Sequence, residues 1–181
     1  MGVKLNVDAD FSEARALFAR LEGVPSGAQQ PLSEIGLMLA ERAQENIRNS
    51  RTWDGKPLQP LAAVTLIARA GGKRASTKRG GFTQAALRIM SSAKPLLDHG
   101  NLLDSYTYTT ARDAVVIGSV KDQAGVMHFG AKQGQFGRSK RGSPIPWGDI
   151  PARPVLGINA QSEQDIVQIM NDYITRTLQS R

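Results

Sequence analysis

Residues 31–48 constrain the fold more than any other stretch. Leu32, Ile35, Gly36, Leu39, Ala43 and Ile47 fall on one face at helical spacing, while Glu34, Glu41, Arg42, Glu45 and Arg48 fall elsewhere. The spacing predicts an amphipathic helix with Pro31 in its first turn. Such a helix must bury its apolar stripe against a second layer, and the chain offers a strand pair for that purpose. Tyr106, Tyr108 and Thr110 alternate with Thr107 and Thr109, Ala111-Arg112-Asp113 makes a bend, and residues 114–120 return as a β-branched strand. Near the C-terminus Ile166, Ile169, Met170 and Tyr173 form the stripe of another helix, with Ser162 and Asp165 spaced as a capping box. The expected fold class is α+β: a small antiparallel β-sheet packed against two main α-helices, with long basic loops.

The rest of the chain is lighter in signal. Residues 11–21 carry Phe11, Ala14, Leu17, Phe18 and Leu21 at helical spacing, followed by the punctuating Gly23-Val24-Pro25-Ser26-Gly27. Residues 1–27 are therefore expected to be an arm or short helix, and 28–181 a single domain, which the length of 181 residues suits. Asp54-Gly55 marks a turn, with Trp53 beside it as a packing anchor. Residues 61–70 and 84–90 predict short helices. Residues 71–81 lack apolar periodicity and predict a mobile loop, and residues 96–103 a compact turn into the hairpin. No internal repeat is evident.

Catalytic patterns are absent. The chain has no Cys, and its two histidines, His99 and His128, have no ligand cluster around them, so neither a thiolate nor a recognisable zinc set is expected. Ser105, His99 and Asp98 or Asp104 lack the Gly-x-Ser-x-Gly context of an activated nucleophile, and turn and strand roles explain them better. Gly72-Lys73-Arg74 resembles the end of a phosphate loop, yet Ile67 stands where its first Gly belongs and Arg74 where Ser or Thr belongs. The acids are dispersed. The expectation is neither enzyme nor cofactor. No signal-peptide core and no bilayer-length apolar run are found, which predicts a soluble protein made in the cytoplasm, without membrane contact.

Charge is the strongest signal. Residues 55–97 hold eight Lys and Arg and no acid, and residues 123–148 hold four and no acid. The remaining 11 of 23 bases share the chain with all 16 acids, leaving that remainder at net −5 against a whole-chain +7. Lys73, Arg74, Lys78, Arg79, Lys132, Arg138, Lys140 and Arg141, on Gly- and Ser-rich backbone, are the candidates for facing DNA or an acidic partner. With no zinc-finger spacing and no recognition-helix motif, contact with DNA is expected to be non-specific.

The second cluster lies within residues 126–157. There His128-Phe129-Gly130 leads into the basic, glycine-rich run 132–142 and then into Ile150-Pro151-Ala152-Arg153-Pro154-Val155-Leu156-Gly157. The prolines stiffen this last segment and hold Arg153 at a fixed point, where bidentate pairing with a carboxylate, inside the domain or across a subunit boundary, is expected. Arg153, Pro151, Pro154, His128, Phe129 and Trp147 are the candidate subunit-interface residues. Arg153→Ala is expected to weaken assembly more than folding.

Leu96-Leu97-Asp98-His99-Gly100-Asn101-Leu102, the hairpin, His128-Phe129-Gly130 and the 150–157 segment, followed by a C-terminal helix, together resemble the phage virion morphogenesis or tail-completion family of Mu-like and P2-like tailed phages. The likeness runs from residue 31 to the end. It implies a structural virion protein of the phage neck, assembled in the bacterial host cytoplasm, that completes the head-proximal end of the tail and enables head-tail joining. It further implies a homo-oligomeric, hexameric ring that meets neighbouring neck and tail proteins, without catalysis or cofactor. Residues 28–181 would be the tail-completion domain. The alternative is a basic accessory protein that binds DNA non-specifically through its two cationic loops.

Overall fold

The computed structural model describes residues 4–5, 29–111 and 113–179, so the expected helix at 11–21 lies outside the described residues. The dominant helix, α1, runs Gln29–Arg48 and buries Pro31, Leu32, Ile35, Gly36, Leu39, Ala40, Ala43 and Ile47, the stripe its periodicity requires. This face lies across a three-stranded antiparallel sheet of β1 (Lys4–Leu5), β2 (Tyr106–Thr110) and β3 (Val115–Ser119), in the order β1-β3-β2.

Register explains which side chains meet the helix. Tyr106 pairs with Ser119, Tyr108 with Ile117 and Thr110 with Val115, so the period of two puts these residues on one face. Gly36 permits the close approach: a Cβ there would sit within 2.7 Å of Tyr108 and Val115 side-chain atoms. The core continues through Leu58, Leu102, Val155 and Leu156. Burial of Val155 and Leu156 contributes about 1.5–3 kcal/mol each, which fastens the proline segment to the domain.

The C-terminal helix, Ala160–Gln179, packs on α1 through Ile166. Its cap differs from the expected one. Asn159 Oδ1 accepts the Ser162 backbone N–H at 2.8 Å, so Asn159 is the N-cap and Ser162 already lies in the first turn. The Ser162 hydroxyl instead accepts from Arg42 at 2.7 Å, and Arg42 also pairs with Asp165. The two residues read as a capping box therefore bind the helix to α1.

Three shorter helices complete the described fold: α2 (Ala63–Arg69), α3 (Gln84–Ser92) and α4 (Asp122–Phe129), which makes the C-terminal helix α5. The first two fall where their apolar residues suggest, and Thr83 Oγ1 caps α3 by accepting from the Ala86 N–H at 3.1 Å. α4 is unanticipated. It buries only Ala124 and Gly125, too little for a helical stripe to stand out. The architecture is the expected α+β, a small sheet covered by α1, with the C-terminal helix α5 packed on α1 in turn.

Candidate functional site

Both basic segments are built rather than loose. Between α2 and α3 the chain makes a 3-10 turn, Gly72–Ala75, that buries Ala75. Thr77 N–H then bonds to Gly81 O at 2.7 Å and Thr83 N–H to Ala75 O at 2.9 Å. The longer segment after α4 is a ribbon. Ala131 and Ile150 exchange backbone hydrogen bonds at its base, at 2.9 and 2.7 Å. Phe136 N–H donates to Ile145 O at 2.7 Å, Ile145 N–H to Gly137 O at 2.8 Å, and Ser139 N–H to Ser143 O at 2.8 Å. Glycine-rich composition reads as slack in the sequence, but here it supplies the tight corners of a hydrogen-bonded ribbon.

A polar clasp reinforces the base. Lys132 Nζ lies 2.9 Å from Asp149 Oδ2, and Gln133 N–H donates to Asp149 Oδ1 at 2.8 Å. These two donors, the backbone N–H foremost, hold the Asp149 carboxyl below its usual range. Lys132 is thus engaged within its own chain. Phe129, Phe136 and Trp147, by contrast, stay 61%, 51% and 67% exposed along the same stretch.

The 150–157 segment is locked inward. Arg153 is only 6% exposed, with Nε donating to Gln59 O and Nη2 to Pro60 O, both at 2.8 Å. The expected carboxylate partner is therefore replaced by two backbone carbonyls of the same chain. Their dipoles satisfy the guanidinium without a second buried charge. Desolvation, with the Arg69 cation as a smaller contribution, lowers its pKa. Trp53 N–H bonds to Pro154 O at 3.0 Å and Asn46 Nδ2 to Val155 O at 2.9 Å, so the segment is fastened on both sides. Pro154 is half-buried, while Pro151 faces solvent.

A cleft of about 620 Å³ lies where these parts meet, with Thr65, Arg69, Asp98, His99, Met127, Trp147, Pro151 and Arg153 in its wall. It unites residues that the sequence shows far apart. Arg69 ties the wall together: Nη1 donates to Lys94 O at 2.9 Å and Leu97 O at 2.8 Å, and Nε stands 3.7 Å from Asp98 Oδ1. In the sequence Arg69 is one base among many, because its partners lie 25 and 28 residues away.

The nucleophile and base candidates of the sequence have other surroundings. The Ser105 hydroxyl is buried, donates to Leu102 O at 2.6 Å and lies 2.7 Å from the Ser119 hydroxyl, while His99 is largely exposed and 3.9 Å from Asp98. Among the described residues, no group of three His, Asp or Glu could hold a metal ion, and no helix is long and apolar enough to cross a membrane.

His128 is half-buried with its ring edge-on to Phe129 at 4.7 Å. Burial lowers its pKa from the usual 6.5. As pH falls below about 6.5, the unfolded chain gains this proton before the folded one does, so stability declines towards the lower folded pKa. Urea midpoints are expected to fall between pH 7.5 and 5 in the native protein and to fall less in His128→Phe. Equal slopes would show that His128 does not set this dependence.

The cationic candidates divide in two. Arg138 donates to Gly142 O at 2.9 Å and Lys132 is held by Asp149. Lys73 and Arg74 are exposed on the 3-10 turn. Lys78, Arg79, Lys140 and Arg141 are exposed as well, and none of these six makes an ion pair or side-chain hydrogen bond among the described residues.

A family model described as the phage virion morphogenesis family matches residues 9–175. Among curated proteins the chain is similar to the Mu-like prophage FluMu G protein 2 of Haemophilus influenzae, 34% identical over 79 residues. That alignment covers 44% of this chain and 51% of the relative, so the chain spans about half the length of the curated protein it matches. No solved structure matches the chain.

Proposed function

The chain belongs to the phage virion morphogenesis family, and we propose that within virion assembly it is a structural subunit of the neck, forming a hexameric ring that completes the head-proximal end of the tail and enables head-tail joining. Residues 28–181 form the tail-completion domain, and its contacts are with its own copies and with neighbouring neck and tail proteins in the virion.

One observation carries the reading: a rigidly anchored base bears an exposed apolar edge. Val155, Leu156 and Arg153 fix the 150–157 segment in the core, while Phe129 at the end of α4 and Phe136 and Trp147 on the ribbon remain open to solvent. Large aromatics held exposed on a hydrogen-bonded scaffold mark an interaction surface. Little backbone ordering entropy remains to oppose docking there. A ring closed by head-to-tail contacts needs two unlike surfaces on each subunit, and the division between basic ribbons and a net acidic remainder suits that need.

Light scattering and negative-stain microscopy test this. The purified protein is expected to form closed rings and to cap isolated tail tubes. Phe129→Ser with Trp147→Ser is expected to abolish both while leaving the melting temperature within about 2 °C, since exposed changes cost about 0.5 kcal/mol or less. A protein that stays monomeric, ignores tail tubes and only shifts duplex DNA would support the accessory DNA-binding reading instead.

A further inference from the structure

The chain contains a short internal repeat that its sequence pattern hides. Thr77-Lys78-Arg79-Gly80-Gly81 and Ser139-Lys140-Arg141-Gly142-Ser143 are the same five-residue turn in two places. In each, the first residue's N–H donates to the fifth residue's carbonyl, at 2.7 and 2.8 Å. The glycine N–H returns to the first residue's carbonyl at 3.2 and 2.9 Å. The first hydroxyl accepts from the fifth N–H at 3.1 and 3.2 Å. The glycines match too, at φ +88° and +80°, and both turns are flanked by single β-bridges, Ser76 with Phe82 and Arg138 with Pro144.

A third copy of the frame acts as an internal control. Thr52-Trp53-Asp54-Gly55-Lys56 has the same two backbone hydrogen bonds, at 2.8 and 2.9 Å, a glycine at φ +85°, and a bridge between Arg51 and Pro57. Its two corner residues are Trp53 and Asp54, and this turn is tied to the domain through Pro154 O. The hydroxyl is used differently in this copy, where Thr52 Oγ1 donates to Lys56 O at 3.0 Å, so the shared frame is the backbone pair with glycine at its fourth position, and it accepts unrelated side chains at its corners. Lys-Arg at the corners of both exposed turns is therefore not demanded by turn chemistry.

We propose that the two Lys-Arg turns are equivalent contacts for the phosphodiester backbone of duplex DNA. Each presents two adjacent cations on an ordered corner, and all four cations are unengaged among the described residues. Arg69, which precedes the first turn, and Trp147 and Asp149, which follow the second, line one cleft, while the turns themselves stand outside its wall. An element used twice suits a partner that offers the same group repeatedly, and a phosphate backbone does so at every nucleotide and in any register. On a protein surface, by contrast, carboxylates are not spaced by a covalent repeat. The proposal rests on the turns alone and does not depend on ring formation.

Fluorescence anisotropy of the full chain on two labelled 30-base-pair duplexes of unrelated sequence, from 50 to 200 mM KCl, tests it. Equal affinity for both duplexes is expected. Lys78→Gln with Arg79→Gln, and Lys140→Gln with Arg141→Gln, should each flatten the log–log salt slope by about 1.8, and all four changes by about 3.6. Exchanging Lys and Arg within each turn keeps the charge and should keep the slope. A wild-type slope in the four-site variant overturns the proposal, as does equal slope loss in the charge-keeping exchange, which would assign the effect to turn geometry. It also fails if a glutamate polymer of matched charge binds as tightly and responds to the same changes, because the partner would then be an acidic protein surface.

Discussion

Alanine at Gly130 is expected to lower stability by about 3 kcal/mol, through a strained backbone and an unrelieved clash together. Gly130 ends α4 at φ +75° and ψ 177°, a region essentially closed to other residues. An added Cβ would lie 2.7 Å from Ile150 O and 2.9 Å from Ala152 N. Both atoms belong to backbone fixed by the Ala131–Ile150 pairing and by the Arg153 N–H bond to Met127 O. Neither can swing aside as a side chain would. A domain of this size should lose roughly 10 °C in melting temperature for such a change. Gly142→Ala is the control: its φ is +80°, but nothing lies within 4 Å of the new Cβ. Its cost should stay near 1 kcal/mol, the left-handed penalty alone. If the two variants melt together, the clash is relieved and the ribbon is not anchored as rigidly as its hydrogen bonds indicate.

What was legible in the sequence follows from how local each signal is. The α1 stripe and the Tyr106–Thr110 alternation are repeated several times within a few residues, so burial on one face shows directly. α4 carries two small buried residues and no such repetition. The ribbon is not legible in the sequence because glycines that turn a hydrogen-bonded chain and glycines that loosen a loop have the same composition; only the pairing partners, such as Phe136 with Ile145, distinguish them. The twin turns escaped for a related reason. Their shared content is the three residues Lys-Arg-Gly and one hydrogen-bond pattern, 62 positions apart, and corner side chains that match look like ordinary basic loop residues.

The site divides along the same line. That the 150–157 segment would be stiff, and that Arg153 would be held at one point, came from Pro151 and Pro154. What the guanidinium would meet did not, because Gln59 and Pro60 are 94 and 93 residues distant and offer only main-chain oxygens, which every residue has. Phe129 and Trp147 stand out in the sequence as aromatics, but their exposure depends on the elements that carry them, the end of α4 and the ribbon.

Arg153→Ala is expected to destabilise the folded subunit by about 3 kcal/mol, since two carbonyls lose charged donors in a nearly dry site. The carbonyls of Gln59 and Pro60 belong to the strand of chain entering α2, so the bond pair joins that entry to the proline segment and to α4 through Met127. Arg153→Met keeps the aliphatic stem and removes only the donors, and should recover about 1 kcal/mol of packing. Arg153→Lys restores charge but not the planar fork, and one ammonium cannot reproduce both directed bonds, so it should rank above Met and below Arg. Urea midpoints should therefore order Ala, Met, Lys, Arg. Assembly is the second measurement, made where each variant is still folded. With the guanidinium turned into its own subunit, ring yield should track the folded fraction across the series. Rings lost in Arg153→Lys at an unchanged midpoint would instead put the guanidinium in service across a subunit boundary, and its two carbonyl bonds would describe only the unassembled subunit.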